Sequence, residues 1–205
     1  MLTPIPVFRW ARGQRINQTL LDLQMPLYRE IMRKAPDMLH TLIASGDVLM
    51  RATEPLQEIP EADVVCYGLW ASPEQASHHG VFMMNREHPT ELDFMLQKPT
   101  TEQQAQLMPT HLMLMDIGVW LLSDKAVRCL MQKTAPEASA QQLNTPGGNA
   151  LSVPTCYDLY SEFGCALGCH PSPPDEALKE LKVAILPLPG GEFYHYGTGP
   201  DMIQS

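Results

Sequence analysis

HLMLMDIGVWLLS, residues 111–123, is long and apolar, and Asp116 and Gly118 break its centre. A carboxylate inside such a run needs partners to offset its lost hydration, so Asp116 is the most informative single residue in the chain. Gly118, two positions on, lets a ligand approach the backbone closely. The same pair also fits a β-bulge between two strands, with Asp116 bonded to nearby amides.

Reading outward from this stretch, Ser123 caps a helix that runs to Lys133, and Thr100 with Gln103 caps another ahead of it. Residues 81–84 and 92–97 read as strands. LHTLIASGDV (39–48) and ADVVCYGLW (62–70) are short apolar runs of the kind that form buried strands, and the first closes on Gly46 and Asp47. Ser72, Pro73 and Gln75 supply an N-cap, a first-turn proline and a capping-box partner, so residues 73–78 should form a short helix. Residues 14–34 carry apolar groups at helical spacing (Ile16, Leu20, Leu23, Leu27, Ile31), with Pro26 expected to interrupt them. A helix over 156–167 and a strand over 181–188 complete the pattern. Residues 1–8 read as an extended loop because of Pro4 and Pro6, and residues 134–154 as a flexible insertion poor in large apolar groups. The alternation of strand and helix predicts one α/β domain over 1–205 with a mixed, mostly parallel sheet and flanking helices.

The composition fits a globular chain: 44% of the 205 residues are hydrophobic and 18% charged, with no apolar run long enough for a transmembrane span. Lys and Arg number 14 against 23 Asp and Glu, a net charge of −9 with no segregated basic patch, which argues against a nucleic-acid partner. A small nucleotide needs only a few aimed donors and stays open. The odd set of five cysteines and the lack of a secretory leader point to the cytoplasm. Cys165, Cys169 and His170 lack the second ligand pair of a zinc site and read as small thiols on a helix face.

In open α/β sheets, ligands bind beyond the carboxyl ends of strands, so polar residues where apolar runs stop are the candidates. Asp47 is either a ligand for Mg²⁺ held with phosphate oxygens or an ordinary turn aspartate. Lys98, before Pro99, is either a phosphate partner aimed off an extended strand end or a solvated lysine. His195, between Tyr194 and Tyr196, binds a metal or phosphate or merely packs. His78 and His79 are adjacent, do not share a helix face, and are not read as a metal pair.

Together, LHTLIASGDV, DVVCYGLW, HHGVF, LDFMLQKP, LMDIGVWLLS, YDLYSEFGCALG and VAILPLPGGEFYHYGT resemble the fucose-1-phosphate guanylyltransferase part of bifunctional fucokinase/GDP-fucose pyrophosphorylases. The resemblance implies a GT-A-like, Rossmann-like nucleotidyltransferase fold. It implies transfer of GMP from GTP to fucose-1-phosphate with Mg²⁺, giving GDP-fucose and pyrophosphate. By resemblance Asp47 binds the metal and takes part in catalysis with Lys98, which meets the sugar phosphate. Asp116 meets sugar hydroxyls, standing where the wider class has an Asn, and His195 stands where that class has a second metal-binding Asp. Gly68 and Gly118 fall beside the substrate, and Gln97 replaces the Glu before the lysine. The class also has a Gly-rich phosphate loop ahead of the element matching LTPIPVF. Its lack here implies a domain without its first strand and phosphate loop, with upstream and downstream domains in a longer protein. The alternative is a non-catalytic sugar-nucleotide-binding or regulatory module of the same fold.

Overall fold

The computed structural model describes residues 19–134 and 156–197. The expected loop at 1–8 and, but for Thr134, the expected insertion at 134–154 lie outside the described residues.

The first helix, α1 (Leu20–Lys34), starts from a capping box between Thr19 and Asp22 and buries Leu20, Gln24, Tyr28 and Ile31. Pro26 does not interrupt it, contrary to the sequence reading. Tertiary contacts hold the helix on both sides of the proline. Before it, the Gln24 amide donates to the Met50 carbonyl at 2.8 Å and accepts from the Met50 N–H at 3.0 Å. After it, Tyr28 and Ile31 sit in the core.

Among the described residues eight strands follow: β1 (Leu39–Ala44), β2 (Val48–Ala52), β3 (Val64–Leu69), β4 (Gly80–Asn85), β5 (Leu92–Gln97), β6 (His111–Ser123), β7 (Val183–Pro187) and β8 (Gly191–His195). Three more α-helices lie between them among the described residues: α2 (Pro73–Ala76), α3 (Thr101–Leu107) and α4 (Asp124–Thr134). The N-caps read from the sequence are present, with Ser72 and Thr100 in capping boxes and the Ser123 hydroxyl accepting from the Ala126 N–H. β2 and β8 were not anticipated.

The main sheet runs β5-β4-β6-β3-β7, with β1 also on β6, while β2 and β8 form a separate two-stranded ribbon. Only β3 and β7 pair in parallel among the described residues; every other strand pairing is antiparallel. The expected mostly parallel sheet is therefore corrected to a mixed, mainly antiparallel one. Residues 86–91, which join β4 to β5, are too few for the crossover of ~12 or more residues that a parallel pair needs. A bridge between Glu91 and Ala184 and a bond from the Ile185 N–H to the Thr90 carbonyl tie the start of β5 to β7, so the sheet curls.

β6 is one unbroken strand, not two segments split at Asp116. Its alternation serves both faces. Met115, Ile117, Val119 and Leu121 join Tyr28 and Ile31 of α1 in one core, and Leu114, Trp120 and Leu122 join Phe82, Phe163 and Ala126 in the other. The expected helix over 156–167 is instead a wide π-type turn, Leu159–Phe163, and a 3₁₀ turn, Gly164–Ala166. Asp158 caps the first by accepting from the Tyr160 and Ser161 amides. Gly164 brings the segment so close to the sheet that a Cβ would stand 2.7 Å from the Met95 sulfur and 2.8 Å from the Trp120 ring. Packing overrides helical propensity there.

Candidate functional site

The register of β6 explains where the site lies. β3 lies along one edge of β6 from Met115 to Leu122. On the other edge β4 pairs with residues 111–115 and β1 with residues 119–123. The partner therefore changes across Asp116, Ile117 and Gly118, and the edge forks. β4 begins at Gly80 on one side of the fork; on the other, β1 ends and the Ser45 N–H donates to the Gly118 carbonyl at 2.8 Å. Gly118 has φ +70, and a Cβ there would lie 2.8 Å from that of Ser45, so a glycine is required.

A cavity of about 200 Å³ opens in this fork, with Asp116 and Gly118 among its lining residues. Asp116 is 5% exposed. Its Oδ1 accepts from the Gly118 N–H at 2.8 Å and from Trp120 Nε1 at 3.1 Å, and Trp120 Nε1 also lies 3.3 Å from Oδ2. Burial pushes its carboxyl up to about 7 against the pull of those two donors. This is the bulge-like arrangement foreseen for Asp116, and the residue also lines a cavity.

Asp47 lies across the hollow, in the turn from β1 to β2. Its Oδ1 accepts the Ser45 hydroxyl at 2.6 Å, and its Oδ2 is 3.4 Å from His195 Nε2. The β2–β8 ribbon makes that meeting, because Val48 pairs with His195. The His195 ring stacks on Phe193, and His79 stands edge-on to both. His78, His79, Phe193 and His195 all line the cavity.

No family model matches the chain. Over all 205 residues it is 59% identical to a curated protein of Bacteroides fragilis, the L-fucokinase/L-fucose-1-P guanylyltransferase, and it spans 20% of that protein's length. The chain is kin to one segment of that bifunctional protein.

Of the residues that the guanylyltransferase resemblance singled out, the fork gathers Asp47, Asp116, Gly118 and His195 around one cavity. Lys98 and Gly68 are not among the lining residues. Lys98 is exposed one residue past Gln97, which does line the cavity, and its N–H donates to the His79 carbonyl at 2.9 Å. Its backbone is left-handed, with φ 50, which corrects the extended conformation expected before Pro99. Gly68 pairs with Asp116 in register, and its lack of a side chain serves packing: a Cβ would meet the Leu114 Cβ at 2.8 Å and the Met115 carbonyl at 2.9 Å.

The sequence reading missed Ser45 and Tyr160, set His79 aside, and named Gln97 only as the replacement of a Glu. Gln97 Oε1 is buried with no hydrogen-bond partner. The Tyr160 phenol is pushed up to about 12 by burial and by the charges of Asp116, Asp47 and Asp158. Only Ser45, in the turn before Asp47, carried a local signal.

His170 belongs to a different cluster. Its Nδ1 lies 2.5 Å from Asp93 Oδ1, and Asp93 Oδ2 lies 2.9 Å from His111 Nε2. Among the described residues no three His, Cys, Asp or Glu side chains gather as a metal centre. A larger cavity, about 610 Å³, sits beside the β5–β7 seam and contains none of the residues expected to act. No described helix is long and apolar enough to cross a membrane.

Proposed function

We propose that this chain provides the guanylyltransferase chemistry: a fucose-1-phosphate oxygen attacks the α-phosphorus of GTP, GMP is transferred, and pyrophosphate leaves. The observation that carries this reading is the convergence of Asp47, Asp116 and His195 on one cavity in a chain 59% identical to a segment of a fucokinase/guanylyltransferase. The nucleotidyltransferase-type fold belongs to the same proposal. At about 200 Å³ the hollow is smaller than the ~300–1,000 Å³ pockets that enclose drug-sized ligands, which suits one sugar ring better than a whole nucleotide.

In this reading Asp116 accepts hydrogen bonds from sugar hydroxyls on the cavity floor, with the unpaired Gln97 Oε1 as a second acceptor. Lys98, on the exposed strand end beside Gln97, meets the sugar phosphate. Mg²⁺ favours one or two carboxylates and completes its shell with phosphate oxygens and water. Asp47, its side chain 47% exposed at the cavity, suits that demand as the protein's carboxylate. Bound there, Mg²⁺ would neutralise phosphate charge as it builds up on the transferring group.

The test is pyrophosphate release from GTP and fucose-1-phosphate, with calorimetry of GDP-fucose binding in parallel. Turnover that falls ~100-fold or more in Asp47→Asn and in Lys98→Ala supports the reading. Binding without turnover leaves a sugar-nucleotide-binding module, and no binding to the full-length protein or to this chain overturns both.

A further inference from the structure

We infer that Trp120 is a positioning residue of the hollow, whose indole N–H holds Asp116 turned toward the cavity as a hydrogen-bond acceptor. The inference deepens the proposed function and rests on it for the ligand, a polyhydroxylated sugar phosphate.

Asp116 and Trp120 are four residues apart on β6, so their side chains leave the same face of the strand. Trp120 is fully buried and locked by three rings: Phe82 at 6.0 Å, Phe163 at 6.3 Å and Tyr160, edge-on, at 6.0 Å. Its Nε1 spans the carboxylate, 3.1 Å from one oxygen and 3.3 Å from the other. An indole N–H donates only, so it favours the ionised carboxylate and fixes the plane of the group. The Gly118 N–H takes one more lone pair of Oδ1, and Asp116 lines the cavity with acceptor capacity left for ligand hydroxyls.

The titratable groups around Asp116 come from every neighbouring element. Cys66 on β3 has its thiol pushed well up by burial and by Asp116, and Tyr160 on the wide turn is pushed up to about 12. Asp47, His78, His79 and His195 line the other walls. Neither Cys66 nor Tyr160 changes charge near neutrality. Asp116, raised to about 7, does, and Trp120 opposes that rise.

The experiment is a carboxyl ¹³C NMR titration of the full chain and of Trp120→Phe, with Asp116→Asn to assign the signal. Expected is an Asp116 midpoint near 7 that moves up by about one pH unit in Trp120→Phe. The affinity for fucose-1-phosphate at pH 7.5 should fall several-fold in the variant, and its pH profile should move by the same interval. An unmoved midpoint in folded Trp120→Phe overturns the inference. Should that variant not fold, the indole ¹⁵N signal of Trp120 in the unaltered protein decides: it must follow the Asp116 midpoint, and a signal flat from pH 5 to 9 overturns the inference. Loss of fucose-1-phosphate binding at every pH in the unaltered protein instead sinks the proposed function, while the two NMR titrations still decide the role of Trp120.

Discussion

Asp116 gives up most of its hydration on folding and regains two N–H donors, and the balance lifts its carboxyl to about 7 from an ordinary value of 3.8. The folded chain thus holds this proton more tightly than the unfolded one. Stability from this group is greatest below about pH 4, falls as pH rises toward 7, and is flat above that. The full difference amounts to roughly 4 kcal/mol. Asp116→Asn removes the titration while its Oδ1 can keep both donors. We predict a variant more stable than the parent by about 2–4 kcal/mol at pH 8, with the gap closing below pH 5, measured by urea unfolding across pH. A gap that does not vary with pH would assign the titration elsewhere. Two residues away, Gly118→Ala must place a Cβ 2.8 Å from that of Ser45 at φ +70. It should cost about 1–3 kcal/mol and, under the proposed function, weaken GDP-fucose binding by pushing the end of β1 off the fork, as thermal melts and calorimetry would report. Asp47 and Asp116, which line the cavity, stand out as candidates in the sequence because a carboxylate at the end of an apolar run, or inside one, conflicts with its surroundings. His79, Gln97 and Tyr160 show no such conflict locally; they come to line the cavity only when β4, β5 and the wide turn converge.

At the scale of elements, local signals were reliable where the caps lie within the segment itself, as at Ser72–Gln75 and Thr100–Gln103. They failed where packing opposes them. Pro26 lies inside α1, where its interior position costs about 3 kcal/mol relative to Ala, yet Gln24 bonds Met50 and Tyr28 and Ile31 fill the core. Pro26→Ala should stabilise the protein by about 2–2.5 kcal/mol, since the gain in the helix is offset by ~0.4–1 kcal/mol of added freedom in the unfolded chain. A denaturation midpoint that stays put or falls would mean that the proline packs in a way that helix propensity does not capture. The segment from Leu159 to Ala166 is the opposite case, a helical pattern lost because Gly164 must touch Met95 and Trp120. Its downstream end is fastened to β5, where the Cys169 and His170 amides donate to the Leu92 and Asp93 carbonyls. Asp93 is held between His111 and His170, and their hydrogen bonds outweigh its burial and keep its carboxyl below the usual range.

For the whole molecule, strand order was the hidden quantity. Alternating strand and helix suggested parallel pairing, but β3 pairs with β6 and β7, both distant in sequence, and nothing local to residues 64–69 names those partners. The fork at Asp116 is hidden for the same reason: it exists because β1 and β4 share one edge of β6, a matter of long-range register. It also places the cavity mid-strand on β6 and at the amino end of β4, although β1 and β5 do meet it at their carboxyl ends. The curl that brings β7 back to the start of β5 rests on the Glu91–Ala184 bridge and on the Ile185 N–H, which donates to the Thr90 carbonyl at 2.9 Å. Ile185 is fully buried, so its amide should exchange with solvent only through large-scale opening. Native-state hydrogen exchange should therefore give Ile185 a protection within about tenfold of the buried Val65 and Tyr67 amides of β3. Exchange of Ile185 several orders of magnitude faster than those would mean that the seam opens by itself and that the sheet is a flat stack with a loose edge. In that event β7 would be held by β3 alone, and the cavity of about 610 Å³ beside the seam would be a product of fraying and not part of the folded architecture.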